Sequence, residues 1–324
     1  MIDISKGRFW DLPWSLVDGC IPCSPGCDHC WSAGIAHRFQ RFRLSRAPGH
    51  GPGMFTDLLG RFCGFVEVCP ERLSIPLKRR KPTVYAVWND WCHEDVSDEF
   101  RTEVLQSAVQ APQHTYLALT KRPQVLLKFM ETNPVWYQNW WLGLTVCNQQ
   151  EADEKIPIFL QVPGKKFLSL EPLLGPVDLG LSLYSFHIPE HVDRDLRKTS
   201  THESPGIDAV ILGGESGPGA RPMHPDWVRS VRDQCAAVGV PFFFKSWGAW
   251  KPCDDDHEEC EGHKSTAMRP TGEFVTDENP CWKDKAFGGP DQGFWKAGSK
   301  SGRLLDGRTY DDLPWRDRMK ELEG

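Results

Sequence analysis

From about residue 83 to residue 247, the sequence alternates short apolar runs with longer amphipathic segments, and this pattern limits the fold more than any other feature. The runs start about 25 to 42 residues apart, which is the spacing of βα units. Strands that are apolar on both faces favour a parallel sheet covered by helices. The predicted strands are residues 83–88, 115–120, 141–146, 166–170, 208–212 and 241–244.

A seventh, short strand near residues 13–17 extends this series. We therefore predict the α/β class, with a complete or partial (β/α) barrel that carries inserted loops; an open, doubly wound sheet is the alternative. Helix ends support the pattern. Ser97 is placed to cap one helix, whereas Pro225 and Gly239 are placed to begin and end another.

The barrel is expected to occupy residues 1–248, interrupted by an inserted loop at 180–206. Residues 249–324 are expected to form an irregular, lid-like region that returns to the barrel. Residues 249–300 of that region are rich in Gly, Asp, Glu and Lys, which is typical of loops.

The composition narrows the class of protein. Apolar residues make up 40% of the chain and charged residues 25%, so a packed core is expected. The net charge of -6 argues against coating nucleic acid through bulk positive charge. No apolar run approaches the ~20 residues of a membrane span, and the first residues lack a secretion signal. We therefore expect a soluble, cytoplasmic protein without a membrane partner.

Four of the twelve cysteines lie within eleven residues, in the segment 19–31, which we call the cysteine loop. In a reducing cytosol, clustered cysteines indicate a metal or reactive thiols rather than disulfides. Two spacings are present, Cys-x6-Cys-x2-Cys and Cys-x3-Cys-x2-Cys, and they share their last two members. The four residues are Cys20, Cys23, Cys27 and Cys30.

Three thiolates from such a loop can hold three irons of a [4Fe–4S] cluster and leave the fourth iron open to a ligand. Four thiolates would instead close the cluster, which suits electron transfer or structure. A structural zinc knuckle is a further alternative, although three residues between the Cys-x2-Cys pairs is a short spacer for one tetrahedral site.

Polar residues follow the predicted strands, and in a βα barrel these strand ends converge on one mouth. Acids there could bind an ammonium and bases a carboxylate, so the ring suits a zwitterionic cofactor. For any single residue, an ordinary capping turn is the alternative. The candidate site residues are Asp90, Lys121, Thr145, Asn148, Glu171, Glu215, Ser216, Arg221 and Lys245, and Arg122 belongs to the same ring.

Two weaker patterns remain. A Cys-x3-His-x2-Cys-x2-His motif could hold zinc, or could be a solvated loop with incidental thiols. Basic runs could contact phosphate, or could be solvated faces. The zinc candidates are Cys253, His257, Cys260 and His263, and the basic runs comprise Arg38, Arg41, Arg43, Arg46 and residues 78–81.

A series of motifs carries a family resemblance over residues 10–248 and 300–314. The motifs are Gly19-Cys20, Ser24-Pro25-Gly26-Cys27-x2-Cys30, Pro70-Glu71-Arg72-Leu73, His93-Glu94-Asp95, Leu119-Thr120-Lys121-Arg122-Pro123, Glu171-Pro172-Leu173-Leu174-Gly175, Gly213-Gly214-Glu215-Ser216-Gly217, Phe244-Lys245 and Gly302-Arg303-Leu304-Leu305-Asp306-Gly307-Arg308. Together they resemble a phage- and prophage-associated family, described as a domain of unknown function, that is similar to radical S-adenosylmethionine (SAM) enzymes.

This resemblance implies a barrel of the radical-SAM type, with a [4Fe–4S] cluster and SAM as cofactors and an external electron donor as partner. The family spacing favours Cys20 as the third ligand beside Cys27 and Cys30, whereas the usual radical-SAM spacing favours Cys23. Radical-SAM enzymes carry Gly-Gly-Glu soon after the cluster, but residues 213–215 lie far downstream. The role of that motif is therefore not transferred.

Under this reading, Lys121, Glu171 and Lys245 are expected to be catalytic, and the other strand-end residues to bind the cofactor. The expected substrate is a nucleotide, such as a hypermodified thymidine of phage DNA, that the enzyme modifies or isomerises in the host cytoplasm. Two alternatives remain: a zinc-stabilised nucleic-acid-binding protein without catalysis, and a closed four-cysteine cluster that serves only electron transfer.

Overall fold

Seven parallel strands form the central sheet of the computed structural model, and they lie side by side in the order in which the chain visits them. A doubly wound sheet reverses its strand order at a switch point, and this sheet has none. The sheet curls into a half-barrel, which confirms the predicted partial (β/α) barrel. Its strands are β1 (Leu12–Ser15), β4 (Val84–Trp88), β5 (Thr115–Thr120), β6 (Trp140–Thr145), β7 (Lys165–Leu170), β8 (Ala209–Gly213) and β9 (Phe242–Ser246).

Each predicted strand agrees with an observed one to within two residues at either end, except that the short first strand is split. Residues 13–17 fall on β1 and on the start of β2 (Val17–Gly19), which pairs with β3 (Val66–Val68) as a separate antiparallel ribbon. The structure describes residues 3–43, 55–133, 137–180, 206–217, 219–253, 264–274 and 292–316.

Five described helices accompany the sheet, and the predicted helix ends are confirmed. The Ser97 hydroxyl accepts a hydrogen bond from the Phe100 amide at 3.3 Å. Pro225 begins the last of these helices, and Gly239 ends it in the left-handed conformation that favours glycine. The helices are α1 (Trp31–Arg43), α2 (Asp98–Gln110), α3 (Pro123–Thr132), α4 (Gln149–Phe159) and α5 (Pro225–Val238).

Alternate residues of each strand face opposite sides of the sheet. The side that faces the helices carries a large core cluster, with Tyr116 and Leu142 as examples. The inner side carries a smaller cluster that includes Leu117 and Phe167. Phe9 and Trp315, from the two ends of the described chain, join this inner cluster. The terminal segments therefore fill the part of the half-barrel interior that is lined by apolar strand residues.

The region beyond residue 248 contains regular structure that the sequence did not predict. Strands β10 (Trp250–Pro252), β11 (Ser265–Met268) and β12 (Gln292–Lys296) form an antiparallel sheet in the order β10-β12-β11. The predicted insertion at 180–206 lies almost wholly outside the described residues, as do His257, Cys260 and His263 of the possible zinc motif. None of the helices in the described ranges is long and apolar enough to cross a membrane.

Candidate functional site

The cysteine loop connects β2 to α1 and lies at the carboxyl-end edge of the parallel sheet, which we call the mouth. A single 3-10 turn shapes its centre. The Ser24 hydroxyl accepts the Gly26 amide at 3.1 Å, and the Cys27 amide donates to the Ser24 carbonyl at 2.8 Å. The Cys30 amide then donates to the Cys27 carbonyl at 3.2 Å, so these two cysteines lie one turn apart.

All four thiols of the loop are free, and Cys23 is the exposed one. A hydrogen bond from Cys23 and the charge of Lys121 lower the pKa of Cys27 to about 6. The same hydrogen bond raises the pKa of Cys23. Burial raises the pKa of Cys20 to about 12, and it also raises the pKa of Cys30. Within the described ranges, no three His, Cys, Asp or Glu side chains are arranged as a ready-made metal site.

Arg122 fastens the first half of the loop. Its guanidinium donates to the Ile21 carbonyl at 2.9 Å, to Asp90 at 2.8 Å and to Glu94 at 2.6 Å. Asp90 is buried and also accepts the Thr120 hydroxyl at 2.7 Å. Asp90 therefore acts in this structure as the partner of Arg122, which holds the loop on β5.

Glu215 and Arg221 fasten the second half, and we call this pair the Glu215–Arg221 clasp. Arg221 donates to both carboxylate oxygens of the buried Glu215, at 2.7 and 2.9 Å, and to the Pro25 carbonyl at 2.9 Å. His29 of the loop lies 3.2 Å from the same carboxylate. Burial alone would raise the pKa of Glu215, but the bonds from Arg221 lower it below its usual value.

Cys147 is a fifth thiol at the mouth that the sequence analysis did not single out. Its sulfur lies 3.6 Å from the Ser24 hydroxyl, and a Cβ on Gly26 would come within 2.4 Å of it. A larger residue at position 26 would therefore have to displace the Cys147 side chain. The signal was present in the sequence, since Cys147 follows Thr145 by two residues and so continues the inner face of β6.

Lys121 lies beside this thiol group. Its side chain makes no hydrogen bond or ion pair with any residue that the structure describes. Burial lowers the pKa of Lys121, but the nearby thiols of Cys147 and Cys27 and the carboxylate of Glu151 outweigh burial and raise it. Because no described residue pairs with it, the Lys121 ammonium is available to an anionic ligand.

Glu171 and Lys245 form an ion pair across the inner face, with Nζ 2.5 Å from Oε1. Ser169 donates to the other carboxylate oxygen at 3.1 Å. Gly213 lies between the two strands, where a Cβ would be 3.2 Å from the Glu171 oxygen. Lys245 is 42% exposed, so the pair is accessible from solvent.

The remaining candidates differ in their surroundings. Thr145 is buried at the end of β6. The Asn148 side chain caps α4 by accepting the Glu151 amide at 2.9 Å, and Ser216 is exposed. The structure thus brings Lys121 to the cysteine loop and pairs Glu171 with Lys245, whereas Asn148 is engaged within its own helix.

Fold and site together define a parallel α/β half-barrel protein with a thiol-rich loop fastened at its mouth. The chain belongs to the DUF5131 family of proteins of unknown function, whose family model matches residues 5–314. No curated protein and no solved structure matches it.

Proposed function

We propose that this protein is a radical-SAM enzyme that holds a [4Fe–4S] cluster on the cysteine loop. The single observation that carries the proposal is the position of this loop: four free thiols at the carboxyl-end edge of a parallel half-barrel, tied there by Arg122 and the Glu215–Arg221 clasp. Parallel βα folds place their chemistry at this edge.

The donor set fits such a cluster by its chemistry. Thiolates are the usual ligands of iron–sulfur clusters, and the acidic Cys27 belongs to both possible ligand triplets. Cys27 and Cys30 would be two of the ligands, and either Cys20 or Cys23 the third. Lys121 and Arg122 place positive charge beside the thiols, which favours the net negative charge of an iron–sulfur thiolate site.

A [4Fe–4S] cluster held by Cys27, Cys30 and either Cys20 or Cys23 would supply the one-electron reduction that cleaves SAM, and with it the radical chemistry that abstracts a hydrogen atom from the substrate. Lys121, whose ammonium has no ion-pair partner among the described residues, would bind a carboxylate at the mouth. Glu171 and Lys245 would hold or move a proton on the substrate at the inner face.

We assign positioning roles to Asp90, Asn148, Glu215 and Arg221, because their side chains already bind groups within the protein. Thr145 and Ser216 stay candidates for contact with the cofactor.

The proposed substrate is a nucleotide, of which a hypermodified thymidine of phage DNA is the specific case, and an external donor would supply the electron. Basic residues on α1 and at residues 78–81 support this class, because phosphates are bound by Arg and Lys. The reaction would modify or isomerise the nucleotide.

Anaerobic reconstitution tests the proposal. The expected result is a coloured protein with iron and sulfide in cluster stoichiometry, which releases 5′-deoxyadenosine when SAM and a reductant are added. Cys27→Ala and Cys30→Ala should abolish iron binding, while Cys63→Ala, a cysteine outside the loop, should not. A colourless protein that retains zinc instead would support the zinc-stabilised binding protein and reject the enzyme.

A further inference from the structure

The side chain of Trp31 is unusually exposed for an aromatic residue beside a candidate active site. It directly follows Cys30, begins α1, and is 49% exposed. Its ring packs edge-to-face against Trp88, with centroids 4.7 Å apart, and Trp88 packs in the same way against Trp10 at 5.6 Å. The indole is therefore held in a fixed orientation although half of it faces solvent.

The first turn of α1 is also fixed in place. The Ser32 hydroxyl donates to the Asn89 side chain at 2.7 Å, and Asn89 follows β4 directly. Trp31 is thus anchored to the mouth by its ring and by its own helix. A rigid platform loses little conformational freedom when a flat ligand stacks on it.

One turn further along the helix, at Gly34, the surface is open, and the positively charged side chain of Arg38 reaches it. A Cβ on Gly34 would meet no atom within 4 Å. The Arg38 side chain folds back so that its Nε lies 3.4 Å from the Gly34 carbonyl, and it forms no ion pair with a carboxylate in the described part of the chain. The helix has three arginines and no acidic residue.

We propose that this face of α1 binds a nucleotide, with its base stacked on Trp31 and its phosphate bound by Arg38. Trp31 and Arg38 lie on the same face of α1, seven residues or about two helical turns apart, and the contact of Arg38 with the Gly34 carbonyl brings its Nε back by one turn toward Trp31. A nucleotide whose base lies on the indole can then reach Arg38 with its phosphate along this face. Stacking on an aromatic ring and a guanidinium–phosphate contact are the two interactions by which proteins bind single nucleotides without reading sequence.

The positive charge of α1 favours a nucleotide over an apolar peptide, because a helix with arginines and no acidic residue attracts a polyanion. A base on Trp31 would lie next to Cys30, so the proposed enzyme would hold its nucleotide substrate at the rim of the cysteine loop. This assignment as the substrate site rests on the proposed function, whereas the binding itself does not.

Equilibrium dialysis of the full-length, metal-free protein tests the site with thymidine 5′-monophosphate, thymidine, 2-deoxyribose 5-phosphate and a short oligothymidylate. We expect the monophosphate to bind more tightly than either of its fragments. Trp31→Ala and Trp31→Leu should weaken binding about tenfold or more, and Trp31→Phe should restore most of it. Arg38→Gln should weaken binding of the monophosphate but not of thymidine.

Phe274→Ala, at another exposed aromatic residue, is the matched control and should leave binding unchanged. Unchanged affinity in Trp31→Leu would overturn the proposal, as would equal binding of 2-deoxyribose 5-phosphate and the monophosphate. If the oligothymidylate binds more tightly than the monophosphate, the natural ligand is a polynucleotide. If the two bind equally, the natural ligand is a free nucleotide, and either result supports the site.

A further outcome is that SAM competes with the nucleotide in the native protein but not in Trp31→Leu. That result would assign the indole to the cofactor and overturn the substrate site. Iron content separates the two proposals. Nucleotide binding in a protein that never takes up iron would reject only the radical-SAM enzyme. An iron-loaded, SAM-cleaving protein that binds no nucleotide would reject only this site.

Discussion

At the scale of single residues, the cysteine loop depends on side chains that are distant in sequence. Glu215 receives bonds from Arg221 and lies beside His29, so one buried carboxylate links the end of β8 to the loop. Buried charges are stable only when they are paired and fully hydrogen-bonded. Loss of the carboxylate therefore leaves the guanidinium of Arg221 without its main partner.

We predict that Glu215→Ala lowers the free energy of unfolding by about 2–4 kcal/mol at neutral pH. The pKa of Glu215 is below its usual 4.5 in the folded protein, so its contribution is complete above pH 4.5 and is lost as the pH falls through the folded pKa. Urea unfolding at several pH values measures both effects.

Glu273→Ala is the control for this change, because Glu273 pairs with Arg269 on the surface with both side chains more than half exposed. An exposed pair contributes ~0–1 kcal/mol, so this variant should unfold almost as the native protein does. Equal losses in the two variants would show that the Glu215–Arg221 clasp stabilises nothing beyond an ordinary surface pair.

The residues of this clasp show what a sequence can and cannot indicate. Glu215 and Arg221 were predicted as part of the mouth because they follow a strand, and the structure places them there. Their bonds to Pro25 and His29 were not predictable, because nearly two hundred residues separate the partners and no spacing rule connects them. The position of Cys147, in contrast, was predictable: it lies two residues after Thr145, and alternate residues of a strand share a face.

At the scale of elements, the close approach of the cysteine loop to the end of β6 sets a steric limit at Gly26. A Cβ there would lie 2.4 Å from the sulfur of Cys147 and 3.1 Å from the Pro172 ring. Both neighbours belong to segments that follow buried strands, so neither can move without disturbing the mouth.

We predict that Gly26→Ala lowers the free energy of unfolding by about 1–3 kcal/mol, because crowding a packed contact displaces its neighbours. Cys147→Ala in the same chain removes the clash and should recover much of that loss. Thermal or urea unfolding of the single and double variants measures it. Gly34→Ala, in an open helical position, should instead stabilise the protein by up to about 1 kcal/mol.

A second element contact makes stability depend on pH. His114, which precedes β5, is buried, and its Nε2 lies 3.0 Å from the carbonyls of Pro76 and Arg79. Since carbonyls only accept, Nε2 carries the proton, and Nδ1 finds no hydrogen-bond partner among the residues that the structure describes. Burial lowers the pKa of His114 below its usual 6.5, so the folded protein holds the neutral ring.

The unfolded chain binds a proton on His114 at a higher pH than the folded one. The stabilisation is therefore complete above pH 6.5 and falls as the pH drops from 6.5 toward the folded pKa. We predict that His114→Gln loses less stability than the native protein between about pH 7 and pH 5. Urea unfolding across this range checks it; parallel losses in both proteins would show that other groups cause the dependence.

The elements also show why the strands were predicted well and the C-terminal sheet was not. Buried parallel strands are continuous apolar runs, so β5 and β8 stand out against the amphipathic helices around them. Strands β10 and β11 have only three and four residues, and the order β10-β12-β11 joins segments across more than twenty residues of Gly-rich sequence. Strands this short, paired with segments far away in the sequence, leave no pattern in the local sequence that would predict them.

At the scale of the whole molecule, segments near the two ends of the described chain pack against β9, an edge strand of the half-barrel. The bridge between Phe243 and Asp311 covers the outer edge of β9. Arg303 donates to the carbonyls of Ile4, at 2.8 Å, and Phe244, at 2.9 Å, and so ties both terminal segments to that strand. An open sheet edge is a site for aggregation, and these contacts cover it.

Trp315 joins these terminal segments to the inner face of the sheet. Its ring is fully buried against Trp141 and Phe167, and its Nε1 donates to the Phe9 carbonyl at 2.9 Å. One side chain therefore joins the first and last described segments to the apolar level of the half-barrel. The mouth adjoins this apolar layer, because Lys245 and Glu171 lie on the same inner face of the sheet, toward the carboxyl ends of their strands.

We predict that Trp315→Ala lowers the free energy of unfolding by about 3–5 kcal/mol, since it leaves a large cavity and an unpaired Phe9 carbonyl. It should also release both terminal segments to limited proteolysis before the sheet itself is cleaved. Trp31→Ala removes the same side chain from the half-exposed rim and should cost under about 1 kcal/mol. Similar losses in the two variants, or terminal segments that resist protease in Trp315→Ala, would mean that these segments are held on the sheet without this residue.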